Sequence, residues 1–307
     1  MGKSTIEVQM EICFKHSKRN SYLSRKRYIG SCRLFIAYLN DVFKLQNLRN
    51  LHDKHVAAYI TERQNRGMTA KTILNDLCAI RYLHDLIQNP RYELSDNRVL
   101  QDKYGLVLDS AFSANGDRSW TSEEFDRMLQ LATNLNREDI KDAMTLAKEL
   151  GLRVTEVVAM SRAQVEKALR THIHTVKGEA KNGKHRDVPL THTAERIMRK
   201  LMQITPRGGK VFVKEGEKVH HVTNRIQQFI NYQREKIVTR EGEQQRNDHR
   251  YGTPRELTMH GLRYNYVQDR FETELSKNGV HETKAAQKIT KEIGHNRTNV
   301  LKVYTGG

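Results

Sequence analysis

Apolar residues recur three and four positions apart along most of this chain, a spacing that puts them on one face of an α-helix and leaves little room for an extended sheet. Tyr28-Ile-Gly-Ser-Cys-Arg-Leu-Phe-Ile-Ala-Tyr-Leu39 follows it, and so does Val56-Ala-Ala-Tyr-Ile60, which runs out near Gly67. Thr69 is placed to cap a further helix carrying Ile73, Leu74, Leu77, Ile80, Leu83 and Ile87, which stops before Pro90. These segments predict a bundle of about four helices.

The period fades from Arg91 to Arg118, where Asp96, Asn97, Gly105, Ser110, Ser113, Asn115 and Gly116 punctuate the chain, and this stretch reads as a connection. Thr121-Ser-Glu-Glu124 then forms a capping box and announces a second domain. The expected division is a helical domain over 1–102, a linker over 103–118 and a larger domain over 119–307.

In the second domain Ile140–Leu150 is helical in pattern with Gly151 as its C-cap, and a short helix is expected around Val154–Met160. His172–Val176 and His185–Leu190 read as strands, with Lys181-Asn-Gly183 in the turn region between them. Helices are expected at about 193–203, 222–237, 259–275 and 282–293, a short strand at Lys210–Val213, and a polar, basic loop from Thr239 to Glu256.

Charge narrows the partners. The formal charge is +17, and both parts contribute: 18 Lys and Arg against 11 Asp and Glu in residues 1–110, and 35 against 25 beyond. Such an excess attracts a long polyanion, nucleic acid first and an anionic membrane second. No apolar run approaches the roughly 20 residues that span a bilayer, and Met1–Arg27 is too charged for a signal peptide. Cys13, Cys32 and Cys78 fit no zinc spacing and read as reduced core residues; neither a metal nor a cofactor is expected.

Four segments then carry a specific likeness. Leu150-Gly-Leu-Arg153-Val-Thr-Glu156 resembles the first arginine box of the tyrosine recombinase (integrase) family, and Lys181-Asn-Gly-Lys-His-Arg-Asp-Val-Pro-Leu190 resembles its β-hairpin lysine segment. Thr258-Met-His260-Gly-Leu-Arg263-Tyr264 resembles its His-x-x-Arg box, and Gly294-His295 followed nine residues on by Tyr304 resembles its nucleophile segment. The likeness covers 121–307 in family order; the first ~100 residues match the family's core-binding domain only in size, helicity and position. Taken singly, each residue has a plain alternative: a helix-end cation, a turn lysine, a surface pair or a tail aromatic.

The resemblance implies a mainly α chain: a SAM-like helical core-binding domain, then a mostly helical catalytic domain with a small antiparallel β-sheet, the two closing on duplex DNA as a clamp. It implies site-specific recombination without metal or ATP. Arg153 and Arg263 would hold the non-bridging phosphate oxygens, a task suited to the guanidinium fork. His260 would accept the Tyr304 proton or orient the phosphate, and His295 would donate to a non-bridging oxygen. Lys181 would protonate the departing 5′-oxygen, and Tyr304 would attack phosphorus to give a 3′-phosphotyrosyl intermediate. Glu156 would orient Arg153 or nearby backbone, or else be a solvated helix residue.

Strand exchange through a Holliday junction, by a homo-tetramer on two DNA sites, follows from the same likeness. So do accessory DNA-bending or directionality factors, and a cytoplasmic, nucleoid-associated setting in a bacterium, phage or mobile element. Lys71, Thr72 and Asn75, at the start of the helix capped by Thr69, and Lys26 in the run Arg25-Lys-Arg27 are candidate DNA contacts. Only Thr305, Gly306 and Gly307 follow Tyr304, where many family members continue into a tail exchanged between subunits. Either assembly uses other surfaces or the sequence is truncated; cis or trans action of Tyr304 stays open, and the tyrosine segment is expected to be mobile without DNA. Tyr264 stands where a histidine is commoner after the family's second arginine. A type IB topoisomerase uses nearly the same residue types. A non-catalytic DNA-binding protein of the same fold and a basic membrane-surface protein are the remaining rivals.

Overall fold

In the computed structural model, which describes residues 2–17, 22–108, 116–177, 185–248, 253–277, 280–295 and 301–305, several helices start where a side-chain oxygen can take a helix N–H. Ser4 accepts from Glu7, Thr69 from Thr72, Asp96 from Val99, Ser161 from Gln164 and Thr191 from Ala194. Each such cap satisfies a donor that the first turn would otherwise leave open.

The chain forms two compact units, Met1–Phe112 and Ser113–Gly307. The first holds α1 (Thr5–Lys15), α2 (Tyr22–Tyr38), α3 (Asp53–Asn65), α4 (Ala70–Asp85) and α5 (Asn97–Tyr104). A π-helical turn, Leu39–Phe43, extends α2. Helix α4 packs on α2 and α3 through Ile73, Leu77, Ile80 and Leu83, which meet Cys32, Phe35 and Ile60 in one core. Part of the stretch read as a connection belongs here: α5 buries Leu100, and Leu106 and Leu108 join the same core. Cys78 is exposed, because the apolar stripe of α4 points elsewhere, and Cys13 is half-buried; only Cys32 is a core residue as expected. Arg25 turns inward and donates to the carbonyl of Phe14, whereas Lys26 and Arg27 are exposed.

The second unit runs α6 (Ser122–Asn134), α7 (Glu138–Leu150), α8 (Val154–Ala159), α9 (Arg162–Thr171), β1 (Ile173–Val176), β2 (Arg186–Pro189), α10 (His192–Ile204), α11 (Val219–Gln233), α12 (Arg240–Gln245), β3 (Asn247–Asp248), β4 (Thr253–Pro254), α13 (Gly261–Leu275), α14 (Glu282–Glu292) and α15 (Leu301–Thr305). β1 and β2 pair antiparallel with Ile173 opposite Pro189 and Val176 opposite Arg186. The mostly helical class with a small antiparallel sheet is as the sequence implies.

Three local expectations change. Helix α9 was not expected, although Ser161 and Gln164 form a capping box at its start. Lys210–Val213 makes isolated bridges, Ser161 to Lys210 and Lys210 to Val213, and no strand. The polar segment 239–256 contains α12 and the β3–β4 pair. Its order comes from a long-range ion pair: Arg246 forks Glu124 at 2.6 and 2.7 Å, with both side chains wholly buried.

Helix α13 is the spine of this unit, packing against α7, α14 and α15. Two glycines let backbone reach it. Gly151 ends α7 at φ 58°, and a Cβ there would lie 2.4 Å from the Tyr266 ring. Gly261 opens α13, where a Cβ would lie 2.3 Å from the carbonyl oxygen of Arg118. Neither position tolerates a side chain without movement.

Candidate active site

The start of α13, the end of α7, the end of α14 and α15 converge. Arg263 lies on the first turn of α13 and is fully buried. Its Nη1 donates to the carbonyl of Gly151 at 2.5 Å, its Nη2 to the carbonyl of Ile293, and its Nε to the Tyr304 hydroxyl at 3.4 Å. One guanidinium thus ties together the ends of two helices and the tyrosine. Burial and the charges of Arg153 and Arg186 lower its pKa to about 10, Tyr304 opposing them, so it stays charged at neutral pH.

Tyr304 is 4% exposed. Its hydroxyl is also 3.4 Å from Nε2 of His295, its carbonyl accepts from Gln268 Nε2 at 2.8 Å, and its ring lies 4.6 Å from that of Tyr264. Tyr304 is therefore seated in the core of this unit. The cause is apolar: Leu301 and Tyr304 are both buried in the core of this unit. The residue at the unusual position, Tyr264, supplies the ring against which Tyr304 rests.

His260 is the N-cap of α13, its ring centroid 6.4 Å from that of Tyr304 and 5.6 Å from that of Tyr264. Its edge is open to solvent. The protein crowded around it, together with Arg263, Arg118, Arg153 and His295, pushes its pKa down to about 4, which leaves a neutral imidazole at pH 7.

Arg153 sits before α8 and is partly exposed. Its amide donates to Glu156 Oε2 at 2.7 Å and its Nη1 to Glu156 Oε1 at 2.8 Å. Glu156 is 1% exposed, so the solvated alternative does not hold. Burial would raise its pKa, but hydrogen bonds and charge from Arg186 and Arg153 overcome that and hold it at about 2. Arg186, on β2, reaches the same carboxylate at 3.0 and 2.5 Å.

The structure therefore brings Arg153, His260, Arg263, His295 and Tyr304 into one cluster with Glu156 beneath it. Lys181 falls in 178–184, outside the described residues. The sequence reading passed over Arg186, Arg118 and the role of Tyr264. Beside His295 and Gly294 a groove of about 770 Å³ opens, lined by His185, Lys284, Lys288 and Lys291 among others. In the first unit Lys71 and Asn75 are exposed near the start of α4, Thr72 is half-buried, and Lys26 is exposed on α2. Among the described residues no cluster of metal-ligating side chains occurs, and no helix is long and apolar enough to cross a membrane.

Comparison with known proteins identifies the family and the fold. The pattern of the phage integrase family matches residues 118–306, and that of the phage integrase N-terminal domain matches residues 6–88. A Tn1549 transposon integrase in complex with transposon right end DNA superposes with TM-score 0.61 at 11% identity, over 99% of this chain and 95% of that one. A lambda integrase dimer bound to a COC′ core site gives 0.60 at 15%, over 97% and 93%. XerH site-specific recombinase bound to a palindromic difH substrate gives 0.58 at 14%, over 97% and 80%. No curated protein matches the chain in sequence.

Proposed function

We propose that this chain, which belongs to the phage integrase family, is a site-specific DNA recombinase that cuts and rejoins strands through Tyr304. The observation that carries the reading is the Tyr304 hydroxyl, 3.4 Å from both Arg263 Nε and His295 Nε2 in a site with a second arginine and a neutral imidazole.

The chemistry follows from those groups. A phosphate seated between Arg153 and Arg263 has its non-bridging oxygens met by two cations, which stabilise the charge of the pentavalent state. His295 adds a donor. His260, neutral at pH 7, can take the Tyr304 proton or orient the phosphate. Tyr304 oxygen bonds to phosphorus as the 5′-oxygen leaves and takes a proton, for which Lys181 is the proposed donor. The 3′-phosphotyrosyl bond conserves the energy of the original ester, so a free 5′-hydroxyl can reverse the step.

Residues 119–307 are the proposed catalytic domain and 1–102 the proposed DNA-clamping domain, with Lys26, Lys71, Thr72 and Asn75 as candidate contacts to duplex DNA. The similar solved proteins are bound to DNA, and the +17 charge fits that partner. A homo-tetramer exchanging strands between two sites, for integration or excision of a mobile element, is the proposed assembly.

The test has two arms. A nicked suicide substrate should trap a covalent protein–DNA adduct that Tyr304→Phe abolishes. A plasmid with two recognition sites should then recombine in a site-dependent way. An adduct with supercoil relaxation but no exchange would replace this reading with a type IB topoisomerase. No adduct on a verified binding site would leave a DNA-binding protein without the reaction.

A further inference from the structure

Glu156 is a single buried carboxylate among three guanidinium groups: Arg153 at 2.8 Å, Arg186 at 2.5 Å and Arg263 at 3.9 Å. Two of these are the proposed phosphate clamps. Left alone with them, the carboxylate would compete with the substrate phosphate for the same N–H groups and cancel part of their charge. Arg186 changes that balance. Its side chain is 2% exposed, lies on β2 opposite Val176, and presents its fork to both oxygens of Glu156.

The same side chain touches one further part of the site and neighbours another in sequence. Gly294, immediately before His295, is at φ 70°, and a Cβ there would lie 3.3 Å from Arg186 Cδ. Arg186 also follows Lys181 by five residues in the chain and is the first residue of the strand after that lysine's segment.

We propose that Arg186 is a positioning residue of the strand-cutting reaction: it neutralises Glu156 so that Arg153 and Arg263 keep their charge for the phosphate, and it anchors β2 and the turn before His295 to that carboxylate. The proposal rests on the recombinase reading above. Arg186 does not touch the reacting atoms; it acts through Glu156, Arg153 and Gly294.

Single-turnover cleavage of the nicked suicide substrate tests it, with Arg186→Gln, Glu156→Gln, the double variant and Arg186→Lys compared with wild type. Arg186→Gln should slow cleavage about 100-fold, the upper range for a supporting residue behind a reactive group. In the double variant the competing charge is gone, so its rate should lie within about threefold of Glu156→Gln alone, a strongly non-additive cycle. The deficit of Arg186→Gln should also shrink as pH falls, because an unforked buried Glu156 takes up a proton more readily and releases Arg153.

Should Arg186→Gln not fold, Arg186→Lys carries the test: it keeps the charge, loses the fork, and should cleave about tenfold more slowly. Wild-type cleavage with an Arg186→Gln rate equal to it, a multiplicative double variant, or an Arg186→Lys rate equal to wild type would overturn the proposal alone. A wild-type protein that forms no adduct would overturn the recombinase reading first.

Discussion

At the heads of α6 and α8 the third helical residue is a glutamate that bends back to the amide of its N-cap residue, 3.1 Å from Thr121 N to Glu124 and 2.7 Å from Arg153 N to Glu156. Both carboxylates are buried, and each is forked by an arginine from later in the chain, Arg246 or Arg186. The difference is the N-cap side chain. Thr121 Oγ1 accepts the Glu124 N–H at 3.2 Å, completing a reciprocal box. Arginine has no acceptor, so α8 starts without that bond. A Ser or Thr cap stabilises a helix by about 1 kcal/mol. The head of α8 forgoes that and holds a cation near His260 and Arg263 instead. One device serves the scaffold in the first place and the site in the second.

The largest effect expected from this contrast is in the scaffold pair. Arg246→Gln leaves Glu124 buried without its fork, and chemical denaturation should show a loss of about 3–5 kcal/mol. Glu124 also takes the Thr239 N–H at 3.0 Å, so segment 239–248 should lose hydrogen-exchange protection in that variant. If Arg186→Gln cost as much stability as Arg246→Gln, the two regions would be alike and the contrast broken.

Arg153→Ser sharpens it from the other side. Cleavage should fall by about 100- to 1000-fold, the usual loss when a group stabilising transition-state charge is removed. Stability should hold or rise by up to about 1 kcal/mol, because serine can cap α8. A variant that loses stability and activity together would return Arg153 to the scaffold.

Gly151→Ala is next in size. A Cβ at φ 58° and 2.4 Å from the Tyr266 ring should destabilise the unit by about 1–3 kcal/mol. The Gly151 carbonyl receives Arg263 Nη1, so cleavage should fall as well; a neutral alanine would contradict the close approach.

The smallest effect is in pH dependence. His260 has a folded pKa of about 4 against about 6.5 for an unfolded histidine, so only the unfolded chain gains this proton between those values. Stability should fall as pH drops through that window, and His260→Asn should flatten the slope. Glu156, depressed to about 2, acts lower: its contribution is present above the unfolded value of about 4.3 and is lost as pH falls toward 2. Urea denaturation over a pH series separates the two.

Much of this was legible in the chain, for local reasons. The capping box at Thr121, the glycine after Leu150, and the spacings from Arg153 to Glu156 and from His260 to Arg263 each lie within four residues. Arg186 was less visible, although the alternation of β2 turns Arg186 and Val188 inward together, and an inward arginine in a strand asks for a buried partner. The order of 239–248 had one local signal, the Thr239 cap on Gly242 N–H, but its anchor is Arg246 meeting Glu124 across 122 positions. The burial of Tyr304 had no local signal because Leu301 and Tyr304 are a short apolar pair packed against α13, about 40 positions earlier in the chain.

The central claim is that Tyr304, and not its neighbour Tyr264 with a ring 4.6 Å away, forms the bond to DNA. Protein trapped on a nicked suicide substrate, digested and mapped by mass spectrometry, tests it most directly. The account predicts a nucleotide-bearing phosphotyrosine on the peptide containing Tyr304 and none in Tyr304→Phe. A phosphotyrosine at Tyr264, or an adduct that survives Tyr304→Phe, would contradict it.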